Sequence, residues 1–168
     1  MHAVKKRKTT VFINILINVV IVCLAIVASL AFVKFVGFPS TVSGTSMTPS
    51  YANGDKVIVA STKIKKQINR FDVVVAKADG VTFIKRVIGL PDETIVIDDG
   101  QIKINGEVFD DIITGKIEDA GCLDVPVHIE DKSYVLLGDN RNNSFDSRNF
   151  GVVNESDIKG IVVSRFRK

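Results

Sequence analysis

A chain of 168 residues holds one domain of ordinary size plus an additional segment, not two full domains. Its 46% hydrophobic content gives a positive mean hydropathy, high for a soluble protein, with the excess concentrated near the N-terminus. The 22 basic and 19 acidic residues leave +3, much of it in Lys5, Lys6, Arg7 and Lys8, so no basic stripe with interleaved aromatics remains for nucleic acid.

Residues 1–10 read as a basic tail. From Val11 to Val33 the chain is almost wholly apolar, broken by Asn14, Asn18, Ser29 and a few small residues. A helix needs about 20 residues to cross the hydrocarbon core, so residues 11–34 are expected to form a transmembrane anchor. The basic residues just before it place the tail in the cytoplasm and residues 35–168 outside. A cleavable signal peptide ending near Ser29-Leu30-Ala31 is the competing reading. The apolar run exceeds the roughly 7–15 residues of such a core, which favours a retained anchor. Phe35-Val36-Gly37-Phe38-Pro39 reads as a short linker or as a domain edge resting on lipid.

Next comes Ser43-Gly44-Thr45-Ser46-Met47-Thr48-Pro49. Gly44 and Pro49 set a sharp chain path around Ser46. A nucleophilic serine needs an exposed Oγ and a backbone N–H for the oxyanion, although such clusters are more often plain loops.

Short Val- and Ile-rich runs separated by Gly, Asp and Asn then predict strands at Val57–Ala60, Asp72–Ala76, Val81–Ile88, Thr94–Ile97, Gln101–Ile104 and Glu107–Phe109. Asp99-Gly100 and Asn105-Gly106 permit tight hairpin turns. Asp110–Asp124 has no clear period and reads as a loop. Val125–Ile129, Tyr134–Leu137 and Ile158–Arg165 complete the strands, and no long amphipathic helix is expected. This pattern predicts a mainly β chain, an antiparallel sandwich or barrel-like domain behind one N-terminal helix.

Two of these segments carry charge in unusual places. In Val81–Pro91, Lys85 and Arg86 interrupt strong β-formers; alternation puts Lys85 with Phe83 on one face and Arg86 with Ile84 on the other. Burial would lower the Lys85 pKa, and bringing a lysine from about 10.4 to about 8 costs roughly 3 kcal/mol. An exposed strand charge is the plainer reading of any single lysine. Gly138 to Gly151 is a dense polar loop in which Asp146 and Arg148 can pair and a serine could orient a base. Cys23 lies in the apolar run and Cys122 far along the polar part, so no disulfide is expected; His2 and His128 are the only histidines, and no metal or cofactor is expected.

In this order, behind an N-terminal anchor, these segments resemble the bacterial type I signal peptidases of the small, single-anchor Gram-positive kind. Ser46-Met47-Thr48-Pro49 is similar to the nucleophile box, Arg70-Phe71-Asp72-Val73-Val74-Val75 to the strand box, and Lys85-Arg86-Val87-Ile88-Gly89-Leu90-Pro91 to the base box. Gly138-Asp139-Asn140-Arg141 through Ser144, Asp146, Ser147 and Arg148 is close to the full C-terminal box. The resemblance implies that Ser46 attacks the scissile carbonyl, Lys85 is the general base, and the Ser46 backbone N–H holds the oxyanion. It also implies that Ser144 orients Lys85, that Asp146, Arg148 and Asp139 support the loop, and that Phe83 and Leu136 surround the base with apolar groups. The implied substrates are preproteins cut after small residues at the first and third positions before the bond. The implied location is the bacterial plasma membrane, in contact with the bilayer and, as a further partner, the secretion translocon. The chain departs from the pattern at Gly44, where some relatives carry a serine donor, and at Ser50-Tyr51 and Asp92-Glu93. A dedicated-substrate relative and a non-catalytic β scaffold are the alternatives; a cytoplasmic self-cleaving repressor is discarded because of the anchor.

Overall fold

The computed structural model describes residues 2–62, 67–78 and 80–166, without the side chains of residues 2–12 and 31–36. One unit is the helix α1, His2–Val36. No proline or glycine interrupts it, and a helix satisfies its own backbone groups, as a hydrocarbon environment demands. Ile13–Leu30 is long and apolar enough to cross a membrane, and its described side chains are all exposed. The basic tail, read from the sequence as a separate segment, continues the same helix; lysine and arginine are good helix formers.

The other unit begins at Gly37. Its strands are β1 (Gly37–Thr41), β2 (Lys56–Ser61), β3 (Val73–Ala78), β4 (Val81–Gly89), β5 (Thr94–Asp98), β6 (Gln101–Ile104), β7 (Glu107–Val108), β8 (Val127–His128), β9 (Ser133–Leu137), β10 (Val153–Asn154) and β11 (Ile158–Phe166). A single helical turn, α2 (Ser147–Phe150), interrupts the polar loop after β9. One sheet has the order β1-β2-β11-β3-β4-β9-β10 and the other β7-β6-β5-β8. Every pairing is antiparallel, so the chain is mainly β as expected. The turns at Asp99-Gly100 and Asn105-Gly106 have positive φ at both positions, the conformation a two-residue hairpin demands.

Three differences from the sequence reading have physical causes. Gly37 to Pro39, in a stretch expected as a linker or a lipid-facing edge, belong to the strand Gly37–Thr41, which among the described residues pairs with β2 alone. Its Pro39 is tolerated because an edge strand leaves one side without ladder bonds. The two-residue β10 is too short to show any alternation. The irregular segment after β7 nevertheless packs inward, burying Ile117 and Leu123, because isolated apolar residues need no period to fill a gap.

β4 positions the site because its two faces meet different apolar clusters. Val87 faces Leu136 on β9 and joins a cluster with Val74, Ala76 and Tyr134. On the opposite face, Ile88 joins Val135, Leu137 and the isoleucines of the second sheet. Ile84 packs near a third cluster of Val42, Val57, Val59 and Val75.

Candidate active site

The Ser46 loop is a tight turn held at several points. Thr48 N–H donates to Thr45 O at 3.1 Å, and Tyr51 N–H to Met47 O at 2.8 Å. Met47 is fully buried and pins the loop, while its neighbour Ser46 stays partly exposed. Gly44 takes φ 87°, a region other residues avoid, and its N–H donates to Asn53 Oδ1 at 3.0 Å. From across the site, Asn140 N–H donates to Ser46 O at 2.9 Å, and its side chain reaches Thr45 O and Thr48 Oγ1.

Lys85 lies on the apolar face of β4, directly opposite Val74 of β3. Two residues on, Val87 faces Leu136, so Leu136 is a diagonal neighbour of Lys85 on that face. Phe83 shares the face, with Lys85 Nζ 5.8 Å from its ring centroid. Lys85 is only 4% exposed, and Nζ donates to Ser46 Oγ at 2.7 Å. Burial lowers its pKa from the usual 10.5 because desolvation disfavours the ammonium. The Asp146 and Asp139 carboxylates oppose that shift, and the Arg148 guanidinium adds to it.

The polar loop frames this pair. Asp146 caps α2, accepting from Arg148 N–H while its own N–H donates to Asn149 Oδ1. The buried Arg148 guanidinium grips Asp146 through Nε and Nη2, both at 2.9 Å. Asp146 Oδ2 also accepts from the Gly138 N–H at 2.9 Å, tying the loop to the end of β9. Asp139 takes a bidentate hold on Arg86.

Ser144 differs from its expected role in one respect. Its Oγ is buried and makes no hydrogen bond, while the Lys85 amine donates to Ser46 instead. Ser144 packs closely on Gly138, where a Cβ would collide with both Ser144 Oγ and the Ser46 carbonyl. Ser144 is thus packed against the backbone beside Ser46.

Sequence reasoning missed several supports. The sequence places Arg86, Arg141 and Ser147 inside family-like boxes without giving them a role; Arg86 binds Asp139 and donates to Phe71 O at 2.9 Å. Ser147 Oγ accepts from Leu136 N–H at 2.9 Å, and Arg141 pairs with Asp111 and donates to Gly138 O. Nothing in the sequence links positions so far apart, although arginines beside a candidate base and inside a polar loop are a signal that acidic partners are near. Among the described residues, no group of three or more His, Cys, Asp or Glu is gathered to hold a metal.

Two cavities adjoin β4. One, of about 110 Å³, is lined by residues including Thr41, Val42, Val75 and Ile84. The other, of about 430 Å³, is lined by Ser46, Lys85, Ala78, Val81, Phe83, Phe145 and Phe150.

Comparison with known proteins adds an independent finding. The family described as "Signal peptidase, peptidase S26" matches residues 13–167. Signal peptidase I S of Bacillus subtilis is 34% identical over 150 residues, covering 83% of this chain and 82% of that protein. Signal peptidase I V of the same organism is 36% identical over 135 residues, covering 72% and 80%. A crystal structure of a signal peptidase I from Enterococcus faecalis matches 58% of this chain and 97% of its own, at 28% identity and a TM-score of 0.49.

Proposed function

The chain belongs to the signal peptidase family, peptidase S26, and on that premise we propose that Ser46 and Lys85 are the nucleophile and general base of a membrane-anchored endopeptidase. The observation that carries this reading is the 2.7 Å contact between Lys85 Nζ and Ser46 Oγ, with the lysine buried on an apolar face. Desolvation supplies the neutral amine that a base requires, because it disfavours the ammonium form.

The chemistry then runs in two steps. Neutral Lys85 takes the Ser46 proton as Oγ attacks the scissile carbonyl, and the Ser46 backbone N–H receives the oxyanion. Lys85 passes that proton to the departing amine, the C–N bond breaks, and an acyl-enzyme remains. Lys85 next deprotonates the water that releases the acyl group. A buried hydroxyl without a partner costs about 1–3 kcal/mol, so Ser144 Oγ is expected to bond the Lys85 amine once Ser46 is acylated and its oxygen no longer accepts from that amine. Asp146, Arg148 and Asp139 hold the frame, and Phe83 and Leu136 surround the base with apolar groups.

The substrate is the end of a signal peptide on an exported preprotein. Among the described residues, β1 pairs only with β2, and β9 pairs with β4 only from Arg86 onward, which leaves edges at Gly37–Thr41 and Val81–Lys85 for an extended segment. Such a segment binds by strand addition, with alternate side chains entering pockets. The small cavity beside Ile84 suits residues such as alanine before the cut. Helix α1 would hold the enzyme in the bacterial plasma membrane with residues 1–10 cytoplasmic and the domain from residue 35 outside. There it meets preproteins, the bilayer and the translocon.

Cleavage of a purified preprotein by the full chain in detergent tests the dyad. Ser46→Ala and Lys85→Ala should each lower the rate by about a thousandfold or more while remaining folded. Substantial cleavage by either variant would sink the reading.

A further inference from the structure

The two cavities along β4 differ in size and in lining: they share Phe83, and only the larger one is lined by Ser46 and Lys85. The smaller one sits against Ile84, Val75 and Val57. The larger one opens on the side of Lys85 and Phe83 and contains both reacting side chains. Its wall is aromatic: Phe83 stacks on Phe150 at 5.1 Å between centroids, and Phe145 tilts against Phe150 at 5.7 Å. Phe145 is 68% exposed and Val81 is 64% exposed, so large apolar groups stand in water at the mouth of the site. Exposed apolar surface of this kind commonly marks a binding site.

The proton balance of the reaction decides what enters this space. The Ser46 proton moves to Lys85 Nζ and then to the leaving nitrogen as the C–N bond breaks. That nitrogen must therefore come within about 3 Å of Nζ. It belongs to the first residue of the mature chain, so that residue has to lie on the side where Lys85 is open. A further cavity, lined by Thr48, Ile113, Lys116 and Asn140, lies beyond the Ser46 backbone and is not lined by Lys85. We infer that Val81, Phe83, Phe145 and Phe150 form a specificity pocket for the first mature residue, favouring apolar over acidic side chains. This inference rests on the Ser46–Lys85 reading and adds selectivity on the departing side of the bond.

The test is a peptide series identical except for the residue after the cut: alanine, leucine, phenylalanine, aspartate or lysine. The full chain in detergent should cleave the leucine and phenylalanine peptides about tenfold faster than the aspartate peptide in kcat/KM. Phe145→Ser should bring that ratio to within about threefold. Val81→Glu should instead favour lysine over leucine, a gain that misfolding cannot imitate. Equal rates for all peptides with wild type, or unchanged ratios in both variants, overturn the inference and leave the dyad standing. If wild type cleaves none of them, the dyad reading fails and the pocket falls with it. If Phe145→Ser slows every peptide equally in vesicles but not in detergent, the patch touches lipid and the inference is wrong.

Discussion

Asp139 holds Arg86 through two parallel bonds, Nε to Oδ1 at 2.7 Å and Nη2 to Oδ2 at 2.5 Å, on the residue next to Lys85. The carboxylate is buried and Arg86 is 8% exposed, so neither charge has water to fall back on. Because the pair joins β4 to the second residue after β9, it sets how the base strand meets the polar loop. Removing one partner leaves a buried charge uncompensated. Asp139→Ala should therefore lower unfolding free energy by about 3–5 kcal/mol, read from urea denaturation. Arg86→Lys should also be destabilising, since an ammonium cannot make the paired contact.

Lys85 should govern two pH dependences. In kcat/KM, activity should rise through the lowered lysine pKa of the free enzyme, below the usual 10.5, and stay high above it. In stability, the folded chain releases this proton at lower pH than the unfolded chain does. Stability therefore rises with pH between the folded and unfolded values, and that contribution is lost as pH falls through the folded value. Lys85→Met removes the dependence. Below the folded pKa it should be more stable than wild type by about 1.4 kcal/mol per unit of lowering, with the gain shrinking toward about pH 10. Parallel denaturation curves for the two proteins across that range would contradict burial of the lysine.

Asp146→Asn separates charge from capping. Asparagine caps a helix about as well as aspartate, so α2 should keep its N-terminus. The Arg148 guanidinium would lose its anionic partner, which should cost on the order of 3 kcal/mol in stability. Asp146 also raises the Lys85 pKa, and Arg148 lowers it. Neutralising the carboxylate should therefore move the acid limb of kcat/KM to lower pH. An unmoved or upward-shifted limb would show that Asp146 does not act on the lysine by charge.

Gly138→Ala should damage catalysis more than folding. The added Cβ meets Ser144 through both its Oγ and its Cβ, and it also meets the Ser46 carbonyl, which is backbone of the nucleophile loop. A displacement of about 1 Å at the nucleophile can cost on the order of a hundredfold in kcat. Adding Ser144→Gly should not restore the rate, because the clash with Ser46 remains. Recovery in that double variant would place the constraint on Ser144 alone.

Much of this protein is readable from order and periodicity. The long apolar run specifies a helix, because nothing else satisfies so many backbone groups without water. Short β-branched runs specify strands, and Asp99-Gly100 and Asn105-Gly106 specify their turns, because these properties depend on neighbours in sequence. Alternation alone puts Phe83 and Lys85 on one face. What the sequence leaves open is every relationship across distance. β1 carries Gly37 and Pro39, which oppose a strand locally, and only its edge position beside β2 makes it one. Arg86 and Asp139 lie 53 residues apart, and Ser46 and Lys85 39 apart, so only the packing of β4 against β9 and the Ser46 loop brings each pair together. The burial that lowers the Lys85 pKa is likewise a property of surroundings assembled from several strands. A lysine carries no mark of its own depth; the fold supplies the desolvation that turns it into a base.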